Sequence, residues 1–218
     1  ADATFTTEAA PEEDPPATDG LLDGLVAFWE LEESSGARAD AHGSSDWSAS
    51  SAVSAGTGRV GAAAALSAGG GAELSQPASA SLELAGTSFT VAGWVRFNAF
   101  ESDRPKLIGQ GKNHLAWEER VWALYRTGNE LRFRIGTSAP VVSPELTAGT
   151  WHFVAVSYDA SAGEASIRVD ASAPQAGPSE AVAASSAAWR LGGGYANQSG
   201  LGTDARLDQW GVWSGRVL

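Results

Sequence analysis

Apolar and polar residues alternate along this chain in short bursts rather than in helical stripes. The runs LVAFWEL (25–31), FTVAGWVRF (89–97), KLIGQ (106–110), VWALYR (121–126), ELRFRI (130–135), WHFVAVSY (151–158), EASIRVD (164–170), WRLGG (189–193) and ARLDQWGVW (205–213) stand out. Each is rich in β-branched or aromatic residues and set off by Gly, Ser, Asp or Asn, the pattern of strands between turns. Thr127-Gly128-Asn129 predicts a hairpin, and Asp159 to Gly163 predicts another. No long segment keeps a 3.6-residue period between caps, and Ala62 to Leu66 is the one place where a helix competes. In FTVAGWVRF, Phe89, Val91, Val95 and Phe97 share one side, expected to be core. Thr90, Ala92, Trp94 and Arg96 share the other, which reads as a partly exposed sheet face. The pattern predicts an all-β fold, a two-sheet antiparallel sandwich or jelly roll.

Residues 1–20, ADATFTTEAAPEEDPPATDG, break this texture and read as an extended N-terminal arm or linker, with Phe5 as its one aromatic anchor. The β domain is expected over 21–218. The formal net charge is −12. Asp2, Glu8, Glu12, Glu13, Asp14, Asp19 and Asp23 fall within the first 24 residues, which hold no Lys or Arg, so the body is only mildly acidic. Neither part offers a basic stripe, which argues against nucleic acid as a partner. No apolar run is long enough for a membrane span. Cys is absent, so there is no disulfide framework and no thiolate metal site. No basic and apolar leader precedes the domain, which fits either a signal already removed or export by another route, such as inside a virus particle.

Taken in order, GLVAFWELEESSGARADAHGSSDW (24–47), GTGRVGAAAALS (56–67), SASLELAGTSFTVAGWVRF (79–97), TAGTWHFVAVSYDASAGEASIRVD (147–170) and ARLDQWGVWSGRVL (205–218) resemble the LamG-like jelly-roll family of the concanavalin A-like lectin/glucanase superfamily. The resemblance implies two antiparallel sheets with the first and last strands adjacent. It also implies a module that usually recognises carbohydrate or protein without catalysis, on bacterial surfaces, beside extracellular enzymes or in phage structural proteins. Some relatives of this kind bind a structural Ca²⁺. The family pattern continues past R-V-L with a short helical tail, whereas this sequence stops at Leu218.

The superfamily includes glucanases, so a glycoside hydrolase is the enzyme reading to weigh. It needs two carboxylates about 5–9.5 Å apart. Glu30 and Glu32 would sit roughly 6–7 Å apart on a strand. The glucanase pattern E-x-D-x-x-E is nevertheless unmatched, and solvated acids at a strand end are the default. Gly56-Thr57-Gly58-Arg59-Val60-Gly61 matches G-x-G-x-x-G without the βαβ context of a dinucleotide site, so a turn between strands is expected. His42, His114 and His152 lack zinc spacing, and His152 is expected to be hydrogen-bonded structurally within a strand. For a structural Ca²⁺ the candidate ligands are Asp40, Asp46 and Asp208, against the plainer reading of loop acids.

Most of the Trp residues are expected in the core, namely Trp29, Trp151, Trp189, Trp210 and Trp213. Trp117 differs, because it lies in the polar stretch GKNHLAWEE (111–119), where an exposed indole suits a sugar ring. His114, Asn113 and Arg120 are candidates for bonding hydroxyls, and Trp122, Tyr125 and Trp94 for extending a platform. Tyr195 and Asn197 in GGYANQSG form a second candidate loop. Loop aromatics also fold back onto their own domain, so this site stays open.

The expected function is therefore a non-catalytic recognition or adhesion module that binds glycans or another surface protein, in an extracellular or virion-surface setting. The alternative is a virion component, a capsid decoration or tail protein, whose arm contacts capsid or tail subunits. A homo-oligomer is compatible with either.

Overall fold

The computed structural model describes residues 20–67, 71–100, 106–111, 120–193 and 203–218. The expected arm lies outside the described residues except for Gly20.

Two antiparallel sheets stack face to face. The first runs, in spatial order, through β13 (Gln175–Pro178), β12 (Glu164–Val169), β11 (His152–Asp159), β6 (Phe89–Phe97), β15 (Ala205–Ser214), β4 (Ala62–Leu66) and β3 (Val53–Thr57), with β1 (Leu25–Trp29) also paired to β15. The second runs through β10 (Val141–Glu145), β9 (Glu130–Ile135), β8 (Arg120–Thr127), β7 (Lys106–Gly111), β14 (Trp189–Gly192), β5 (Glu73–Gln76) and β2 (Ser48–Ala49). A single 3₁₀ turn, Ala80–Leu82, is the helical element among the described residues.

β15 organises the first sheet. Along one side it pairs with β6 throughout. On the other side Ala205, Arg206 and Leu207 pair with Leu66, Ala65 and Ala64, and Trp210 and Val212 then pair with Trp29 and Ala27. The change of partner falls at a bulge between Asp208 and Gly211, where Gln209 takes φ 52°. The first and last strands are thus neighbours, as the family resemblance implies.

Alternation decides which side chains meet between the sheets. Phe89, Val91, Val95 and Phe97 point inward with Val154, Val156 and Leu207, against Ile108, Leu124, Phe133 and Leu191 of the opposite sheet. Gly93 holds the remaining inward position of β6. A Cβ there would collide with the indole of Trp210, so the missing side chain is what admits that ring. At the centre, Trp122 lies 5.0 Å from Trp189 and 5.9 Å from Phe89 between ring centroids.

The Ala-rich stretch resolves as strand. Its small side chains fit between β3 and β15, with Ala63 and Ala64 fully buried, so tertiary pairing overrides alanine's helix propensity. Trp29, Trp189, Trp210 and Trp213 are buried as expected, and Trp47 and Trp122 join them. Trp151 does not. It is half-buried just before β11, two positions from the outward-facing Phe153, so alternation places it on the outer side.

Candidate functional site

The outer side of the first sheet collects aromatic and cationic side chains around Trp94. Pairing sets Phe153 on one side of Trp94 and Asp208 on the other. Arg96 stands directly opposite Arg206, and Arg168 stands opposite Ala155, one residue pair further along. Phe153 is 36% exposed, and its ring meets Trp94 edge-on at 5.3 Å with an interplanar angle of 62°. An edge-to-face pair at this separation is favourable for the rings' quadrupoles. From the turn between β3 and β4, Arg59 brings its guanidinium carbon to 5.0 Å from the Trp94 ring centroid, within cation–π range.

Two arginines of this face, Arg96 and Arg206, are anchored by backbone carbonyls rather than carboxylates. Arg96 Nε donates to Gly149 O at 2.8 Å, and an Arg206 guanidinium nitrogen donates to Thr57 O at 3.2 Å. Arg206 reaches Thr57 by crossing Gly56, where an added Cβ would sit 3.2 Å from its Nε. Among the described residues, no ion pair involves Arg59, Arg96, Arg168 or Arg206.

Two carboxylates fix the turn that carries Arg59. Asp208 is buried, and its Oδ2 accepts the N–H groups of Arg59 at 2.6 Å and Val60 at 2.9 Å. Glu32 Oε2 accepts the N–H of Ala62 at 2.6 Å. Burial pushes the Asp208 carboxyl above the usual carboxylate range despite those N–H bonds, and the nearby Glu32 charge pushes the same way. The G-x-G-x-x-G stretch is accordingly the end of the β3–β4 hairpin, held by acids. β1 ends at Trp29 and Leu31 takes φ 64°, so Glu30 and Glu32 do not form the in-strand pair that a hydrolase reading draws on.

The other candidate residues disperse. Trp122 is 0% exposed in the core, whereas Tyr125, three residues on, is 6% exposed and on the outer side of the second sheet. With Trp94 on the outer side of the first sheet, Tyr125 on that of the second and Trp122 in the core between them, these three aromatics cannot make one platform. Asn113, His114, Trp117, Tyr195 and Asn197 lie outside the described residues. Arg120 opens β8, where its Cα pairs with Gly111.

The three aspartates expected to hold Ca²⁺ do not converge. Asp40 Oδ1 accepts the N–H groups of Phe28, His42 and Gly43, and its Oδ2 accepts that of Ser45, all at 2.8–3.0 Å. Burial of Asp40 raises its pKa, but the four N–H bonds outweigh it and hold the carboxyl below its ordinary value. Asp46 accepts the N–H of Asp40. Carboxylates already facing N–H donors are poor cation ligands, and Asp208 sits with a different turn. Among the described residues, no three His, Cys, Asp or Glu side chains form a metal-holding group. His152 has the structural role expected of it, bonding Asp170 through Nδ1 at 2.8 Å and accepting the Thr147 N–H through Nε2 at 3.1 Å.

Sequence reasoning reached Trp94 but not Phe153, Arg59 or Arg206. The signal was the alternation of W-H-F-V-A-V, which sets Trp151 and Phe153 against His152, Val154 and Val156.

A laminin G-type family model, described as the concanavalin A-like lectin/glucanases superfamily, matches residues 67–218. No curated protein matches the chain in sequence. Among solved structures, the binding domain of Paraclostridial Mosquitocidal Protein 1 is 14% identical with a TM-score of 0.71, over 89% of this chain and 50% of that one. The Botulinum Neurotoxin serotype G binding domain is 13% identical with a TM-score of 0.70, over 89% of this chain and 48% of that one. Trypanosoma rangeli sialidase in complex with sialic acid is 16% identical with a TM-score of 0.67, over 89% of this chain and 31% of that one. This chain spans half or less of each, and at these identities the likeness is one of fold.

Proposed function

The chain belongs to the concanavalin A-like lectin/glucanases superfamily, and from that premise we propose that it is a non-catalytic recognition module that binds glycans on the outer side of its first sheet. The observation that carries the reading is the Trp94–Phe153 pair at the middle of a sheet, in which Phe153 is exposed and the half-buried Trp94 lies beneath the Arg59 guanidinium, with further arginines at its border. A sugar's C–H face packs on such rings, while guanidinium donors bond its hydroxyls. An extracellular setting suits this role, and no helix among the described residues is long and apolar enough to cross a membrane.

Support for a binding rather than a hydrolytic role comes from the acids near the face. Glu32 and Asp208 both spend carboxylate oxygens on backbone N–H groups of one turn. Asp208 is moreover fully buried, out of reach of a sugar on this face, and Glu32 alone does not make the pair of carboxylates that hydrolysis needs. The fold is shared with binding domains and with a sialidase alike, so the site and not the fold decides the reading.

The test is a screen of the intact chain on a glycan array, repeated with Phe153→Ala. Binding that is lost in the variant supports the proposal. Absence of binding to any glycan, or binding unaffected by Phe153→Ala, contradicts it.

A further inference from the structure

The geometry points to carboxylate-bearing oligosaccharides, of the uronic or sialic acid type, as the ligand class of the Trp94–Phe153 face. This inference rests on the glycan-binding reading and adds the charge of the sugar to it.

The chain as a whole is acidic, with 14 Lys and Arg against 26 Asp and Glu. Four of its arginines, Arg59, Arg96, Arg168 and Arg206, nevertheless gather on one side of one sheet, and none has an ion-pair partner among the described residues. Arg96 and Arg206 are direct cross-strand neighbours. Like charges placed opposite each other in an antiparallel pair oppose folding. Their guanidinium groups are held towards opposite sides, on Gly149 O and Thr57 O, and an anion on this face offsets the remaining repulsion, so the arrangement favours a negatively charged occupant. The acids nearest the rings are engaged elsewhere: Asp208 faces Trp94 but is buried, with its Oδ2 turned to the Arg59 and Val60 N–H groups, and the exposed Asp170 turns Oδ1 to the Phe153 N–H and Oδ2 to His152.

The aromatic rings narrow the class. A carboxylated sugar offers an apolar ring face for Phe153 and Trp94 together with a planar anion that matches the guanidinium fork. A long polyanion such as nucleic acid meets the field of a chain with net charge −12, which opposes it away from this patch.

The experiment measures affinity of the intact chain for matched pairs by calorimetry: tetragalacturonate against its methyl ester, and sialyllactose against lactose. A single-stranded oligonucleotide and a sulfated heparin tetrasaccharide serve as further arms. The expected result is at least about tenfold tighter binding of the acid in one pair, the size of one charge-assisted contact. That preference weakens as salt rises, and it falls to near unity in Arg96→Gln/Arg206→Gln. Equal affinity within both pairs overturns the inference while leaving glycan binding intact. A preference that persists in the double variant, or tighter binding of the oligonucleotide or the heparin fragment, also overturns it. No binding by any saccharide overturns the glycan reading with it.

Discussion

Asp208 faces Trp94 across the β6–β15 pairing, and its carboxylate holds the backbone of Arg59 while the Arg59 side chain covers the indole. A buried acid thus sets the position of an exposed cation over an aromatic ring. Asp208→Ala leaves two N–H groups without their acceptor and is expected to cost about 2–4 kcal/mol in urea denaturation. Asp208→Asn keeps an acceptor oxygen and is expected to be close to neutral at pH 7. Because the folded-state pKa of Asp208 is raised, the proton it takes up stabilises the native state. That stability is fully present below the unfolded pKa and is lost as pH rises through the folded pKa. The wild-type chain therefore gains on Asp208→Asn as pH falls from neutral. A gap that moves the other way contradicts the assignment.

Asp40 has the opposite sign. Its depressed pKa means that its contribution is present above the unfolded value and is lost as pH falls through the folded one. Asp40→Ala removes the acceptor of four backbone N–H groups and is expected to destabilise by about 3 kcal/mol or more at pH 7. The difference shrinks once the pH drops below about 4. Asp40→Asn, which retains an oxygen for three of the four, is expected to lose roughly 1–2 kcal/mol. Since Asp40, Asp46 and Asp208 do not converge on a cation, melting curves in EDTA and in added Ca²⁺ are expected to coincide, and a Ca²⁺-dependent rise in Tm would contradict that.

At Gly93 the constraint is packing. Gly93→Ala puts a methyl group into the Trp210 ring, and overpacking of this kind costs about 1–3 kcal/mol. The expected outcome is a lower Tm together with a shifted tryptophan emission. An unchanged Tm would mean that Trp210 does not lie over that glycine.

The long central strands were legible because their alternation is strong: Phe89 to Phe97 reads as one inward and one outward row, and so it folds. The strands that escaped notice are short or border the sheets. β3 (VSAGT) and β13 (QAGP) end the first sheet, and β2 (SA) and β10 (VVSPE) end the second. Edge strands bury little and carry Ser, Gly and Pro, so their pattern resembles loop. Trp122 and Trp151 were exchanged for a related reason. Composition says that tryptophans are valuable in a core, but only the alternation around each one says which side it takes. The partners of the aspartates were not legible, because an acid that bonds backbone N–H groups and one that ligates calcium have the same identity in sequence.

The glycan reading is tested most directly by titrating one bound oligosaccharide, chosen from the array, against Trp94→Ala and Trp117→Ala side by side. The sheet-face account predicts that Trp94→Ala weakens binding by at least about tenfold, the scale of one lost aromatic stacking contact. Trp117→Ala stays within about twofold of the wild-type affinity, a change too small for a lost stacking contact. Loss of binding in Trp117→Ala with Trp94→Ala unaffected would contradict the account and move the site to the stretch of sequence around Trp117.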